Sequence, residues 1–226
     1  MIVEDHPLVR LGLQRMLEAE DGFVVVGEAA DGEEAVLRAQ ELQPDVILMD
    51  INLPKKYGLQ ATREITRQNK DVGVIVLTAY HDDEQLFHSI KAGAKAYYPK
   101  EVSPEELLAA IREVSKGNYV VEDQVMSSPQ LARWIQREFE ELAIFGESPD
   151  QMFEPLTERE MEILRHVTQG YSNKEIARAL NISRQTVKNH MSSILRKMAA
   201  NDRTEAAVLA LRRGWIRLQD TVREDD

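Results

Sequence analysis

Five polar side chains in the first hundred residues each follow a short apolar segment. Three are carboxylates, one is a hydroxyl and one is an ammonium: Glu4, Asp5, Asp50, Thr78 and Lys100. Three carboxylates brought together repel one another, so a divalent cation that prefers oxygen ligands, such as Mg²⁺, is their natural neutraliser. An aspartate beside that cation can attack a phosphoryl group, while a lysine and a hydroxyl hold the phosphoryl oxygens. These residue types predict phosphoryl-transfer chemistry.

The apolar segments alternate with helical patterns, which is typical of an α/β fold. Strands are predicted at 1–3, 23–27, 46–49, 72–77 and 96–98, and helices at about 7–19, 31–41, 58–69, 83–92 and 104–116. The strands at 46–49 and 72–77 are rich in consecutive apolar residues, as parallel strands covered on both faces are. Five such units predict a doubly wound, five-stranded parallel sheet of the flavodoxin-like type. Ligands bind such sheets beyond the carboxyl ends of the strands, where the five polar side chains would then meet.

Residues 1–116 resemble the receiver domains of response regulators. The motifs that carry the resemblance are Glu4-Asp5-His6-Pro7, Met49-Asp50-Ile51-Asn52-Leu53-Pro54, Leu77-Thr78-Ala79 and Gly93-Ala94-Lys95-Ala96-Tyr97-Tyr98-Pro99-Lys100. Two features depart from the usual pattern: aspartate is commoner at the position of Glu4, although the longer arm still reaches a cation, and the first strand is short.

The resemblance implies a role for each of these residues. Asp50 would accept a phosphoryl group from a sensor histidine kinase, and Lys100 would bind that group. Thr78 and Tyr97 would form a switch pair. The ligands of Mg²⁺ would be Glu4, Asp5, Asp50 and the backbone carbonyl of Asn52.

The second half of the chain differs in charge and in pattern. The whole chain has a formal net charge of -11, yet residues 156–219 carry 12 Lys and Arg against 6 Asp and Glu, which indicates a polyanionic partner. Two capping boxes, Thr157 with Glu160 and Ser172 with Glu175, mark helix starts. A three-residue turn then separates helices predicted at 173–180 and 184–198, as in a helix-turn-helix.

The helix at 184–198 has two unlike faces. Its apolar stripe predicts a core face formed by Val187, Met191, Ile194, Leu195 and Met198. On the opposite face, Lys188 can reach guanine and Asn189 can pair with adenine in the major groove.

Residues 155–218 resemble the DNA-binding domain of the NarL/FixJ (LuxR-type) regulators. The resemblance implies an all-α, four-helix helix-turn-helix domain that binds double-stranded promoter DNA. Lys188, Asn189 and Ser192 match its base-facing positions. Phosphate contacts would come from Lys174, Ser183, Arg184, Thr186, His190 and Lys197. The helix at about 203–213 resembles the dimerisation helix of that family, which implies a homodimer.

The predicted organisation is a receiver domain at 1–116, a linker at 117–155, a DNA-binding domain at 156–219 and an acidic tail at 220–226. The linker contains a helix at about 130–145 whose apolar stripe comprises Leu131, Trp134, Ile135, Leu142 and Phe145. Such a stripe must bury against a receiver face, the DNA-binding domain or a partner's copy. The helix either transmits the phosphorylation signal or only spaces the domains.

Composition and one departure from a motif limit the function classes. The chain has no cysteine, which excludes disulfides and thiolate metal sites. No apolar run approaches the roughly 18 residues of a membrane span, so a cytoplasmic protein with no membrane partner is expected. Three alternatives fit parts of the sequence: a haloacid-dehalogenase-type phosphatase, an unphosphorylated regulator, and an interaction module with a vestigial DNA-binding domain. The phosphatase requires a second aspartate where Asn52 stands, so we expect a regulator and not an enzyme.

Overall fold

The computed structural model describes residues 1–79, 83–144, 156–198, 200–213, 215–216 and 218–221. The chain divides into two compact units, Met1–Gln136 and Arg137–Asp226, and each has its own buried apolar side chains. Among the described helices, none is both long enough and apolar enough to cross a membrane.

A parallel sheet forms the centre of the first unit. Its strands are β1 Ile2–Val3, β2 Glu28–Ala29, β3 Val46–Asp50, β4 Gly73–Thr78 and β5 Ala96–Pro99. They lie in the order β2-β1-β3-β4-β5, and every neighbouring pair is parallel. The predicted five-stranded doubly wound sheet is therefore confirmed, with the carboxyl ends of its strands at one edge.

Helices cover both faces of this sheet. They are α1 Pro7–Glu18, α2 Gly32–Leu42, α3 Gly58–Gln68, α4 Asp83–Ala92 and α5 Pro104–Ser115. Side chains of α2, α3 and α4 share one apolar core with Met49 and Val76, whereas those of α1 and α5 share another with Leu48 and Ile75. Because both faces are covered, all of β4 and nearly all of β3 are buried.

The second strand is shorter than predicted and lies later in the sequence. It comprises Glu28 and Ala29, whereas residues 23–27 belong to no strand and Val24 is 80% exposed. The difference follows from its partner, because β1 offers only Ile2 and Val3 for pairing. An apolar run that has no neighbouring backbone to pair with forms no ladder.

A β-hairpin extends the sheet where a linker was predicted. Its strands are β6 Tyr119–Val121, which pairs in parallel with β5, and β7 Gln124–Met126, which pairs antiparallel with β6. Glu122 and Asp123 connect them with φ angles of 49° and 61°. Two consecutive residues with positive φ are what a tight two-residue hairpin turn requires. The structure thus adds two strands to the five that were predicted.

The predicted linker helix is present as α6 Ser128–Ile144. Leu131 and Trp134 are 7% and 4% exposed and belong to the core that α2, α3 and α4 cover, and Ile135 packs against it. Of the three burial surfaces that the sequence left open, these side chains use the first unit. The remaining stripe residues, Leu142 and Phe145, lie outside the described side chains.

The second unit contains the predicted four helices. They are α7 Glu158–Thr168, α8 Asn173–Ala179, α9 Arg184–Lys197 and α10 Arg203–Arg212, and a 3₁₀ turn follows at Leu218–Thr221. Helix α9 contacts both α7 and α8. Ile163, Leu164, Ile176 and Ile194 are fully buried between these helices.

Candidate functional site

The carboxylates predicted to act together lie together at the carboxyl ends of adjacent strands. Glu4 and Asp5 follow β1, and Asp50 ends β3, its neighbour in the sheet. One carboxylate oxygen from each residue lies within 4.8 Å of the others. Glu4 and Asp50 are each 1% exposed, whereas Asp5 is half-buried, so the cluster meets solvent on the Asp5 side.

Lys100 lies directly against this cluster. Its Nζ is 2.6 Å from Oε2 of Glu4 and 3.0 Å from Oδ2 of Asp50. Its backbone N–H donates to the carbonyl of Thr78 at 2.7 Å, which ties the residue after β5 to the end of β4. The sheet therefore brings Glu4, Asp50 and Lys100 into contact, with Asp5 close by and Thr78 at the end of the adjacent strand β4.

The cluster holds more negative charge than one lysine balances. Burial and the neighbouring charge of Asp50 raise the pKa of Glu4 above its ordinary value, although Lys100 and the N–H of His6 oppose this. An electropositive ligand would relieve the repulsion. Three carboxylates with access to solvent at Asp5 are a donor set that fits a hard divalent cation such as Mg²⁺.

The segment that follows Asp50 is held close to its backbone. Gly58 donates to the carbonyl of Ile51 at 2.8 Å, and a Cβ at Gly58 would overlap the carbonyl oxygen of Asp50. Glycine is therefore required where α3 begins. Asn52 is half-buried in this segment, and its N–H donates to Oδ1 of Asp50 at 3.3 Å.

The two residues of the predicted switch pair are both buried. Thr78 ends β4 with 1% exposure, and its hydroxyl donates to Oε1 of Gln85 at 3.3 Å. Tyr97 on β5 is 5% exposed and belongs to the core that includes Trp134 of α6. Sequence analysis missed Gln85. The sequence does carry a signal for it. Gln85 and Ser89 are polar residues four positions apart, on a face of α4 that otherwise carries core residues.

Helix α9 has a buried face and an exposed face, as its sequence predicts. Val187, Met191, Ile194 and Met198 are buried, whereas Leu195, the fifth residue of the predicted core face, is half-buried. Ser183 caps α9 by accepting a hydrogen bond from the N–H of Thr186 at 3.0 Å. Most of the predicted DNA contacts are exposed, and the others are half-buried: exposed are Lys174, Ser183, Arg184, Lys188, Asn189 and Ser192, and half-buried are Thr186 and His190.

Local hydrogen bonds orient two of the predicted base-facing side chains. Oδ1 of Asn189 accepts from Nε2 of Gln185 at 3.0 Å, one turn earlier on α9. The hydroxyl of Ser192 donates to the carbonyl of Lys188 at 3.1 Å, so this short side chain is directed along its own helix. Lys188, the third predicted base-facing residue, is exposed.

Lys197 does not belong to the exposed set, which corrects its prediction as a phosphate contact. Its Nζ lies 2.8 Å from Oε2 of Glu160, and both side chains are 5% exposed. Burial opposes the ionisation of Glu160, but hydrogen bonds from Lys197, Ser193 and Thr157 outweigh it and hold the pKa of Glu160 below its ordinary value. The 3.6-residue helical period turns Lys197 towards α7, so it joins α9 to α7.

Comparisons with known proteins agree with both halves of the structure. The family described as "Response regulator receiver domain" matches residues 1–112, and the family described as "Bacterial regulatory proteins, luxR family" matches residues 154–210. The transcriptional regulatory protein DegU of Brevibacillus brevis is 39% identical in an alignment of 224 residues that covers 97% of this chain and 95% of that protein. The response regulator protein VraR of Staphylococcus aureus is 36% identical over 216 residues, which are 96% of this chain and 97% of that protein.

A solved structure shows the same similarity. The crystal structure of a two-component response regulator of the LuxR family from Aurantimonas sp. SI85-9A1 is 35% identical to this chain and superposes with a TM-score of 0.51. The match covers 61% of this chain and 94% of the Aurantimonas chain. The chain belongs to the two-component response regulators that join a receiver domain to a LuxR-type DNA-binding domain.

Proposed function

We propose that this protein is a phosphorylation-dependent transcriptional regulator in which Asp50 accepts a phosphoryl group from a sensor histidine kinase. The observation that carries this proposal is the contact of Lys100 with both Glu4 and Asp50, at the edge where the three carboxylates meet. A buried acid cluster with one adjacent ammonium has the charges that phosphoryl transfer to a carboxylate requires.

In the transfer, a carboxylate oxygen of Asp50 forms a bond to phosphorus while the bond between phosphorus and the kinase's histidine nitrogen breaks. Mg²⁺, when bound, would neutralise negative charge on the incoming group. Glu4, Asp5, Asp50 and the backbone carbonyl of Asn52 are its proposed ligands. Lys100 would exchange its contact with the Asp50 carboxylate for one with a phosphoryl oxygen, and the Thr78 hydroxyl would donate to another oxygen.

The second unit would read promoter DNA in the cytoplasm. Lys188, Asn189 and Ser192 are the proposed base-facing residues. Phosphates would be contacted by Lys174, Ser183, Arg184, Thr186 and His190, which position the protein without specifying sequence. A homodimer would place two copies of α9 on half-sites about one helical turn, roughly 34–36 Å, apart.

The proposal is tested by measuring the affinity of the full-length protein for its promoter duplex with and without beryllofluoride, a stable phosphoryl analogue, in the presence of Mg²⁺. We expect tighter binding with the analogue for the wild type. Asp50→Asn should show the same affinity in both conditions. A wild type whose DNA affinity is unaffected by bound beryllofluoride would argue for an unphosphorylated mode of regulation.

A further inference from the structure

The hydroxyl of Thr78 is engaged by a residue of the neighbouring helix. Thr78 Oγ1 donates to Oε1 of Gln85 at 3.3 Å, and this hydrogen bond is buried. Thr78 is 1% exposed and Gln85 is 2% exposed. A bond this well shielded from water is part of the packing between the end of β4 and α4.

Gln85 is an unexpected residue on the inner face of α4. Its neighbours Leu86 and Ile90 belong to the apolar core, and a carboxamide buried among such residues is costly unless its polar atoms are hydrogen-bonded. Ser89, one turn later, is fully buried and donates its hydroxyl to the carbonyl of Gln85 at 2.7 Å. Helix α4 therefore directs a short polar row, Gln85 and Ser89, towards the sheet.

The hydroxyl of Thr78 can donate to Gln85 or to a phosphoryl oxygen, but not to both at once. Threonine has a single hydroxyl hydrogen, so it donates one hydrogen bond at a time. If Thr78 donates to Oε1 of Gln85, it does not donate to a phosphoryl oxygen on Asp50. Conversely, when a phosphoryl oxygen takes that hydrogen, Oε1 of Gln85 loses this buried donor and the contact between β4 and α4 that it makes.

We propose that Gln85 is a positioning residue that competes with the phosphoryl group of Asp50 for the hydroxyl of Thr78, and so links the state of Asp50 to the position of α4. This inference rests on the proposed function of Asp50. In the unphosphorylated protein the Thr78–Gln85 bond stabilises the position of α4 seen here. In the phosphorylated protein the bond is exchanged, which favours a different arrangement of α4.

The test is a double-mutant cycle. The affinity of the full-length protein for beryllofluoride is measured by titration calorimetry in the presence of Mg²⁺. Gln85→Met keeps the length of the side chain and removes the acceptor. Gln85→Asn keeps the carboxamide but withdraws it from Thr78, and serves as a second variant should the first not fold. Each is also made with Thr78→Val, and Ser89→Ala is the matched control because it removes a buried hydrogen bond from α4 without touching Thr78.

We expect Gln85→Met and Gln85→Asn to bind beryllofluoride about 3- to 10-fold more tightly than the wild type, the range set by the net strength of one hydrogen bond. In the Thr78→Val background the same changes should alter affinity by less than about twofold, because the competition no longer exists. Ser89→Ala should likewise stay within about twofold of the wild type.

This proposal would be overturned, and the proposed function left intact, by unchanged or weaker analogue binding by both folded Gln85 variants, or by an equal gain in the Thr78→Val background. A gain for Ser89→Ala as large as that of Gln85→Met would also overturn it, since loosening of α4 would then explain both. A folded wild type that binds no beryllofluoride would overturn the proposed function, and this proposal with it.

Discussion

Lys100 Nζ lies 2.6 Å from Oε2 of Glu4, a shorter distance than the 3.0 Å that separates it from Oδ2 of Asp50. Glu4 therefore holds the ammonium next to Asp50 while contributing a carboxylate to the acid cluster. The longer arm of glutamate suits this double contact, since Oε1 of the same side chain accepts from the N–H of His6 at 3.1 Å.

Glu4→Gln should weaken Mg²⁺ binding while keeping the shape of the site. We expect the Mg²⁺ concentration that half-saturates phosphorylation to rise by at least about fivefold, since a unit charge about 4 Å from a cation contributes on the order of 1–4 kcal/mol. Glu113→Gln is the control, because Glu113 on α5 pairs with Lys116 and Asn118, which lie just beyond the end of that helix. An unchanged Mg²⁺ requirement for Glu4→Gln would remove Glu4 from the proposed ligand set.

Substitutions on α8 and α9 should separate base reading from phosphate contact. Lys188→Ala and Asn189→Ala should each reduce the discrimination between specific and random duplex by roughly 1–3 kcal/mol. Lys174→Ala should weaken both complexes alike and lower the salt slope by about one. Fluorescence anisotropy over a range of salt concentrations measures both quantities.

Lys197→Met provides a contrast within the same experiment. Because its ammonium is buried against Glu160, we expect no change in the salt slope of the fraction that remains folded. A lower slope for Lys197→Met would restore it to the phosphate-contacting set. An unchanged specificity ratio for Lys188→Ala would show that the base-reading assignment is wrong.

The buried pair of Glu160 and Lys197 should make the second unit sensitive to acid. The pKa of Glu160 is held below its ordinary value of 4.5 in the folded protein, so its stabilising contribution is complete above that pH and is lost as the pH falls through the folded value. Glu160→Gln removes this pH dependence but keeps the capping box, which accepts glutamine. It leaves Lys197 buried without its counter-charge, and we expect a loss of about 3 kcal/mol at neutral pH.

Unfolding can be followed in the full-length protein through Trp215 once Trp134→Phe has removed the other of its two tryptophans. Glu162→Gln is the matched control on the same helix, since its ion pair with Arg159 is exposed and should contribute little. If Glu160→Gln and Glu162→Gln unfold alike at every pH, the buried pair does not stabilise this unit.

Because Trp134 is buried, substitutions in α6 are expected to affect stability as well as signalling. Trp134→Ala should lower the free energy of unfolding of the first unit by about 3–5 kcal/mol because it truncates a core side chain. Ile135→Ala, at a half-buried position, is the milder probe of signalling. If α6 transmits the signal, Ile135→Ala should reduce the difference in DNA affinity caused by beryllofluoride, whereas exposed Arg133→Ala should not. A full difference in Ile135→Ala would make α6 a spacer.

Much of the fold could be predicted because local and global signals agree. Ser103, Thr157 and Ser172 form the capping boxes that begin α5, α7 and α8. The polar residues after β1, β3 and β5 meet because parallel strands end at one edge of the sheet. That single topological rule was enough to place Glu4, Asp5, Asp50 and Lys100 together.

The remaining features depend on partners that the sequence does not identify. The hairpin at Tyr119–Val121 and Gln124–Met126 forms because β5 offers a free edge, and its turn residues, Glu122 and Asp123, are not the usual Asn-Gly pair. Lys197 resembles an exposed basic residue until α7 places Glu160 beside it. The sequence likewise does not reveal the role proposed for Gln85, because that role depends on its distance to Thr78 in the folded protein.

Phosphorylation of Asp50 is tested most directly by intact-mass analysis of the full-length protein after incubation with acetyl phosphate. The wild type should gain one phosphoryl group in the presence of Mg²⁺ and none when Mg²⁺ is removed, whereas Asp50→Asn should gain none in either condition. Equal phosphate incorporation by the wild type and Asp50→Asn would contradict the assignment of Asp50 as the phosphoryl acceptor.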